Sequence, residues 1–262
     1  MRISKLFIIL LIIFQVSGCA THANKDPLEN FNRAIYKFND VADGAIIKPI
    51  SKGYKNLAPK FVAKGINNFF NNIRDVVTVI NELLQGKIQY AVDDTGRIIL
   101  NSTIGLLGFI DVHTISGGER RKEDFGQTLG YWGVDQGAYL VLPFIGPSTT
   151  RDAVGFLADT LAFDPISYMN NVRGRNQVRI LQFIDARTEL LNASAIMDEA
   201  SLDPYAFQRD AYLQYRDALL NDRSSGEIDY TDSADTDYNY EAYMEESTDK
   251  VITENSEAQK IS

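Results

Sequence analysis

One cysteine, Cys19, occurs among 262 residues, so the chain cannot close an internal disulfide. Its fold must rest on packing alone. Histidine is nearly as scarce, with only His22 and His113. There is no two-histidine helical zinc motif, no G-x-S-x-G nucleophile elbow and no phosphate-cradling P-loop. The glycine-rich stretch lacks the strand–G-x-G-x-x-G–helix setting of a dinucleotide site. No metal, cofactor or enzymatic activity is therefore expected. Asp111 and His113 could form half of an acid–base pair, but a hydrogen-bonded structural histidine is the favoured reading. Positive charge is also short, with 26 basic against 35 acidic residues and a net charge of −9. Without a basic stripe, nucleic-acid binding is excluded. Nowhere after residue 19 do 18 apolar residues run uninterrupted, so no simple membrane-spanning helix is expected there.

What is present begins at the N-terminus. Arg2 and Lys5 precede Leu6 to Val16, which is apolar except for Gln15, and Val16-Ser17-Gly18 places small residues before Cys19. This is the pattern of a secretory signal. The apolar run would extend roughly 16 Å as a helix, about half of a hydrocarbon core. A cysteine at this point looks like a bacterial lipobox, where the thiol is acylated and the chain is cut before it. The chain then divides into a signal peptide (1–18), a lipid-anchored tether (19–25), a helical body (26–223) and an acidic tail (224–262). The tether is too short to hold the body away from a membrane. In the tail, 11 acidic residues face only Lys250 and Lys260, and the few aliphatics predict disorder.

Within the body, Asp26-Pro27-Leu28-Glu29 predicts a capped helix start. Leu28, Phe31, Ile35, Phe38 and Ala42 follow at helical spacing, with Gly44 as the expected stop. Further helices are predicted over about 59–85, 88–101, 148–163, 177–192 and 203–221. Asp203-Pro204 repeats the aspartate–proline start. Residues 102–110 are apolar on all sides, as in a fully buried or lipid-facing segment. Ala138 to Leu142 could form one short strand, stopped by Pro143 and Pro147. The fold class is all-α, with at most one short extended segment.

Several blocks resemble one family. Asp26-Pro27-Leu28-Glu29 with Phe31-Asn32-Arg33, Tyr36 and Phe38-Asn39 is similar to the N-terminal signature of the MlaA (VacJ) lipoproteins. Asn101 to Gly105 running into Gly108 to Val112, and Phe125 to Gly130 with Gly133, Gly137, Tyr139 and Leu142-Pro143-Phe144, continue the resemblance. Ser148, Arg151-Asp152 and Asp203-Pro204-Tyr205 extend it, so that it spans about Asp26 to Asn221.

The resemblance implies a ring-like assembly of amphipathic helices with a central channel, lying in the inner leaflet of the outer membrane. It implies a lipid-anchored protein on the periplasmic side that removes mislocalised phospholipid from the outer leaflet. The lipid would pass to a soluble periplasmic phospholipid-binding carrier, maintaining lipid asymmetry. A trimeric porin is the implied partner. The alternative is a structural lipoprotein that scaffolds porins or the cell envelope. A channel of this kind needs an apolar lining and a few polar groups for the headgroup. Arg151, Asp152 and Arg179 are the candidate headgroup contacts, with Arg173 and Arg175 nearby in sequence. Phe125, Gly126, Gly130, Trp132 and Gly133 are either a movable channel lip or a close-packing surface.

Overall fold

The computed structural model describes residues 26–221. Cys19, the signal, the tether and the acidic tail lie outside the described residues. The body is helical, with one two-stranded hairpin. Helix α1 (Glu29–Ala42) continues through a π turn (Asp43–Ile47) into α2 (Lys48–Leu57). A long α3 (Lys60–Leu84) and α4 (Ile88–Thr103) follow, then a single turn α5 (Val112–Ile115) and α6 (Phe125–Tyr131). Strands β1 (Tyr139–Leu142) and β2 (Gly146–Thr149) lead into α7 (Thr150–Ala158), a second π turn (Asp159–Phe163) and a 3₁₀ turn (Pro165–Tyr168). Helices α8 (Val172–Glu189), α9 (Leu191–Ala200) and α10 (Pro204–Asn221) complete the body.

The amphipathic logic of these helices is inverted. Along α3, Asn72, Asp75, Thr78 and Glu82 recur every three or four residues and are buried, as are Asn81 and Gln85 on the same side. Phe61, Leu83 and Leu84 of the same helix are exposed. Along α4, the buried stripe is Ala91, Asp94, Arg97 and Asn101, while Ile88, Val92 and Ile99 face outward. Gly86, with φ +73°, turns the chain sharply so that α3 and α4 pack as neighbours through their polar faces. Among the described residues, 23 polar or charged residues are buried against 10 apolar ones. A water-soluble core is dominated by apolar side chains, so this molecule keeps its polar side in and its apolar side out.

Among the described residues, a conventional apolar core lies between α1, the hairpin and α10, where Tyr139, Val141, Tyr205 and Leu213 pack with Ile35, Tyr36 and Tyr212. The hairpin departs from the expected single extended segment. Tyr139 pairs with Thr149 and Leu142 with Gly146, so a second strand forms across Pro147. Proline is tolerated because this two-stranded sheet has only edge strands. Gly44 does not end α1 either, since the helix widens into a π turn and carries on. Asp26 is not the cap of α1: its carboxylate is buried, accepting from Asn32 Nδ2 at 2.8 Å and from the Tyr205 hydroxyl. Asp203 does cap α10, accepting from Ala206 N–H at 3.2 Å. Helix α9 and the helical part of the glycine-rich stretch, α6, were not signalled by apolar spacing.

Candidate functional site

The buried polar groups form two connected networks. In the first, Arg97 reaches from α4 to Asp75 of α3 at 3.1 Å. It also donates to the Asp111 carboxylate, to Glu119 O at 3.2 Å and to Thr114 Oγ1 at 3.2 Å. Asn101 donates to Asp111 at 2.9 Å and accepts from the His113 backbone N–H at 3.0 Å. Asp111 is thus a structural partner of Arg97. Burial opposes its charge, but hydrogen bonds from Thr114 and the Arg97 guanidinium hold its carboxyl below the usual range. Its oxygens are committed to Arg97, Asn101 and Thr114.

Further along α3, Glu82 and Asp94 face each other with carboxyl oxygens that meet no hydrogen-bond donor. Burial first, and then the neighbouring carboxyl, raises Glu82 to about 9. Arg121 stands 3.8 Å from Asp94, so Glu82 is the protonated member at neutral pH.

The second network joins α6, α7 and α10. Arg216 donates to Asp124 at 2.5 and 3.0 Å and to Asp152 at 2.7 Å. Asp152 also accepts from Tyr212 Oη at 2.8 Å and from Arg151 Nε at 3.3 Å. Asp124 caps α6 through Gln127 N–H at 2.8 Å. Beside this network lies a cleft of about 170 Å³, whose lining includes the apolar Leu142, Ile145 and Phe156. The charged Asp124, Asp152, Asp159 and Arg216 line it too. Pockets that enclose drug-sized ligands hold roughly 300–1,000 Å³, so this cleft suits a headgroup and not a whole lipid. Burial raises Asp159 to about 6, despite hydrogen bonds from Phe125 N–H and Asn81.

Of the candidate contacts, Arg151 and Asp152 are therefore buried and internally paired, with only Asp152 bordering the cleft. Arg179 is more open, donating to Ser167 Oγ at 2.7 Å with Asp164 at 3.6 Å. No hydrogen bond or ion pair joins Arg179 to Arg151 or Asp152. Gly126 and Gly130 serve close packing. A β-carbon on Gly126 would stand 2.6 Å from Asp152 Oδ1, and one on Gly130 would stand 2.9 Å from Arg151 Nη1. Trp132 and Gly133 form the exposed end of the same stretch, with Trp132 Nε1 donating to Leu84 O at 3.2 Å. Phe125 packs edge-on against both Trp132 and Phe163. Arg216 and Asp124, which knit the cleft, were missed in the sequence. Their only signal was an arginine on the apolar face of the last helix.

The exposed apolar residues are spread along the described chain and include Ile104, Leu106, Leu107 and Ile110 of one loop. Leu106 and Leu107 are 68 % and 69 % exposed, and both adopt positive φ. Non-glycine residues in this conformation carry strain of order 1 kcal/mol each. Gly108 N–H to Asn101 O at 2.8 Å and Ile110 N–H to Gly105 O at 2.8 Å hold the loop in place. No described helix is long and apolar enough to cross a membrane.

Together these features define a class: a helical protein that presents apolar side chains to its surroundings and encloses a charged interior. The chain belongs to the MlaA lipoprotein family, whose model matches residues 24–219. It is 33% identical over 216 residues to the intermembrane phospholipid transport system lipoprotein MlaA of Shigella flexneri, covering 81% of this chain and 85% of that one. The protein of the same description from Haemophilus influenzae is 33% identical over 232 residues, covering 85% and 92%. An uncharacterised protein of Rickettsia bellii is 36% identical over 205 residues, covering 78% and 80%. A solved structure described under "Structural basis for maintenance of bacterial outer membrane lipid asymmetry" superimposes with a TM-score of 0.65 at 32% identity. That match covers 75% of this chain and 99% of the other.

Proposed function

We propose that this chain is an outer-membrane lipoprotein that takes mislocalised phospholipid from the outer leaflet and passes it to a periplasmic carrier. The observation that carries the reading is the inverted polarity of α3 and α4. Exposed Ile88, Val92, Ile99, Leu106 and Leu107 suit contact with acyl chains, and buried Asp75, Arg97, Asn101 and Asp111 suit a polar interior. Each exposed leucine moved from water into hydrocarbon contributes about 1.5–3 kcal/mol, so a few suffice to hold the body in a leaflet. Acylation of Cys19 anchors the same body on the periplasmic side. An amphipathic route through a ring of such helices lets the headgroup avoid bare hydrocarbon. Arg179 and the Asp152 side of the cleft are its proposed headgroup contacts, Arg151 bracing Asp152 from behind. Trp132 and Gly133 are the proposed lip. No catalytic step is required of a conduit.

Trimeric porin and a soluble phospholipid-binding carrier are the proposed partners. The acidic segment 224–262 is proposed to help recruit the carrier through a basic surface. Deleting it should slow carrier association most at low ionic strength, because the Debye length at 0.15 M salt is only about 8 Å. Equal association rates at low salt would remove that role.

The embedding is tested by nitroxide labels at Val92, Ile99 and Leu106 in the membrane-reconstituted full chain. Collisions with lipid-soluble oxygen should exceed those with a water-soluble nickel chelate at all three. The reverse order would place the apolar face in water and defeat the reading.

A further inference from the structure

The segment after α5 runs back along α3. Arg120 donates to Asp75 Oδ1 at 2.9 and 2.8 Å and to Asn71 O at 3.2 Å. Three residues on, Glu123 N–H approaches Thr78 Oγ1 at 3.4 Å. Lys122 is therefore held alongside the turn of α3 that carries Arg74. Asp75, one of the two carboxylates that act on Arg74, is already shared between Arg97 at 3.1 Å and Arg120 at 2.8 Å. Among the described residues, neither Arg74 nor Lys122 has a carboxylate within 4.0 Å. Arg74 donates to Asn71 Oδ1 at 2.8 Å, and its Nε is buried without a partner. The other carboxylate, Asp185 on α8, lies beyond ion-pair distance, is buried, and accepts from Asn67 at 3.0 Å and from the Tyr54 hydroxyl at 3.4 Å.

Desolvation, and then the Arg120 charge, holds the Arg74 guanidinium below its ordinary value. Desolvation, followed by Arg120 and Arg74, does the same to the Lys122 ammonium. Yet the Lys122 side chain is exposed to water. Arg74 beside it is partly buried. A purely structural cluster would supply its own counter-charges, because unpaired cations in such a place are costly. An incoming anion removes that cost.

We propose that Arg74, Arg120 and Lys122 form a phosphate-binding headgroup site that favours phospholipids of net negative charge over zwitterionic ones. The proposal rests on the transport reading above. Every phospholipid brings a phosphodiester, which arginine and lysine can both bind. A zwitterionic headgroup also brings an ammonium, which adds a further cation where two are already unpaired. A glycerol headgroup brings none.

The test uses the full chain extracted from the membrane in mild detergent, with co-purified phospholipid quantified against the total membrane pool. Phosphatidylglycerol should be enriched over phosphatidylethanolamine by about threefold, the size expected of a partly solvated ion pair. Lys122→Gln, at an exposed position that folding does not depend on, should return the ratio to that of the pool. Lys122→Glu should invert it. Lipid bound at the pool ratio by the unaltered chain would overturn this inference and leave the transport reading intact. No bound lipid at all would overturn both. Inorganic phosphate displacing the lipid, or protecting the unaltered chain from heat as well as phosphatidylglycerol does, would make this a free-phosphate site and overturn the lipid assignment.

Discussion

Asn32 is fully buried, and all of its hydrogen-bonding capacity is spent on structure. Its amide donates to Asp26 at 2.8 Å and to Tyr139 O at 2.9 Å, and its oxygen accepts from Val141 N–H at 2.9 Å. Two turns later Asn39 repeats the pattern, donating to Leu142 O at 2.9 Å and accepting from Phe144 N–H at 2.8 Å. The two asparagines stand in for a third strand along the edge of β1. Asn32→Ala would leave a buried N–H, a C=O and a carboxylate short of partners, at about 1–3 kcal/mol for each orphaned group. Thermal or denaturant unfolding should show a loss of at least about 2 kcal/mol. A loss below half of that would mean that the hairpin does not depend on α1. The asparagines were legible in the sequence as part of a family signature, but their task was not, because a polar residue on an amphipathic helix ordinarily marks the solvent side.

At the scale of elements, α3 and α4 are joined by polar faces, and the Glu82–Asp94 pair sits toward the turn end of that joint. Glu82 is raised from 4.5 to about 9 by burial and by Asp94. The folded chain therefore holds a proton that the unfolded chain has released at every pH between those values, and stability must fall as pH rises across this window. Glu82→Gln keeps the shape and removes the titration. It should raise the midpoint of unfolding at pH 8, by about 2–4 °C per kcal/mol gained, and flatten the slope between pH 5 and 8. An unchanged slope in the variant would show that Glu82 is not the group responsible. Helical spacing made both elements visible in the sequence. It did not show which face points inward, since periodicity is the same for a core stripe and a lipid stripe. The π turn after α1 was hidden for a related reason: Gly44 reads as a stop, yet a widened turn lets the helix pass through it.

The whole molecule is best understood as a polar network wrapped in apolar helix faces. Candidate site residues fared according to how far their roles depend on three-dimensional context. Gly126 and Gly130 were singled out in a glycine-rich block that matches the family, and close packing against α7 and α10 explains them. Arg151 and Asp152 were singled out as charges in a matching block, and the structure pairs Asp152 with Tyr212 and Arg216 from a helix some 60 residues later in the chain, with Arg151 bonded to Asp152. No local pattern could have announced that pairing. Anchoring should depend on Cys19 as the site of acylation. Cys19→Ser should abolish acyl labelling and correct maturation, because a buried acyl chain contributes about 0.8 kcal/mol per methylene and several chains hold a protein on a membrane durably. A variant still matured and fully retained would break the lipoprotein assignment.

Removal of phospholipid from the outer leaflet is most directly tested by measuring how much phospholipid that leaflet displays, in cells with and without the chain. Labelling intact cells with a membrane-impermeant amine reagent, followed by lipid extraction, reports surface-exposed phosphatidylethanolamine. Deletion of the chain should raise the labelled fraction, and restoring the unaltered chain should bring it back down. An equal labelled fraction in the two strains, with the chain present at its normal level in the parent, would contradict the account.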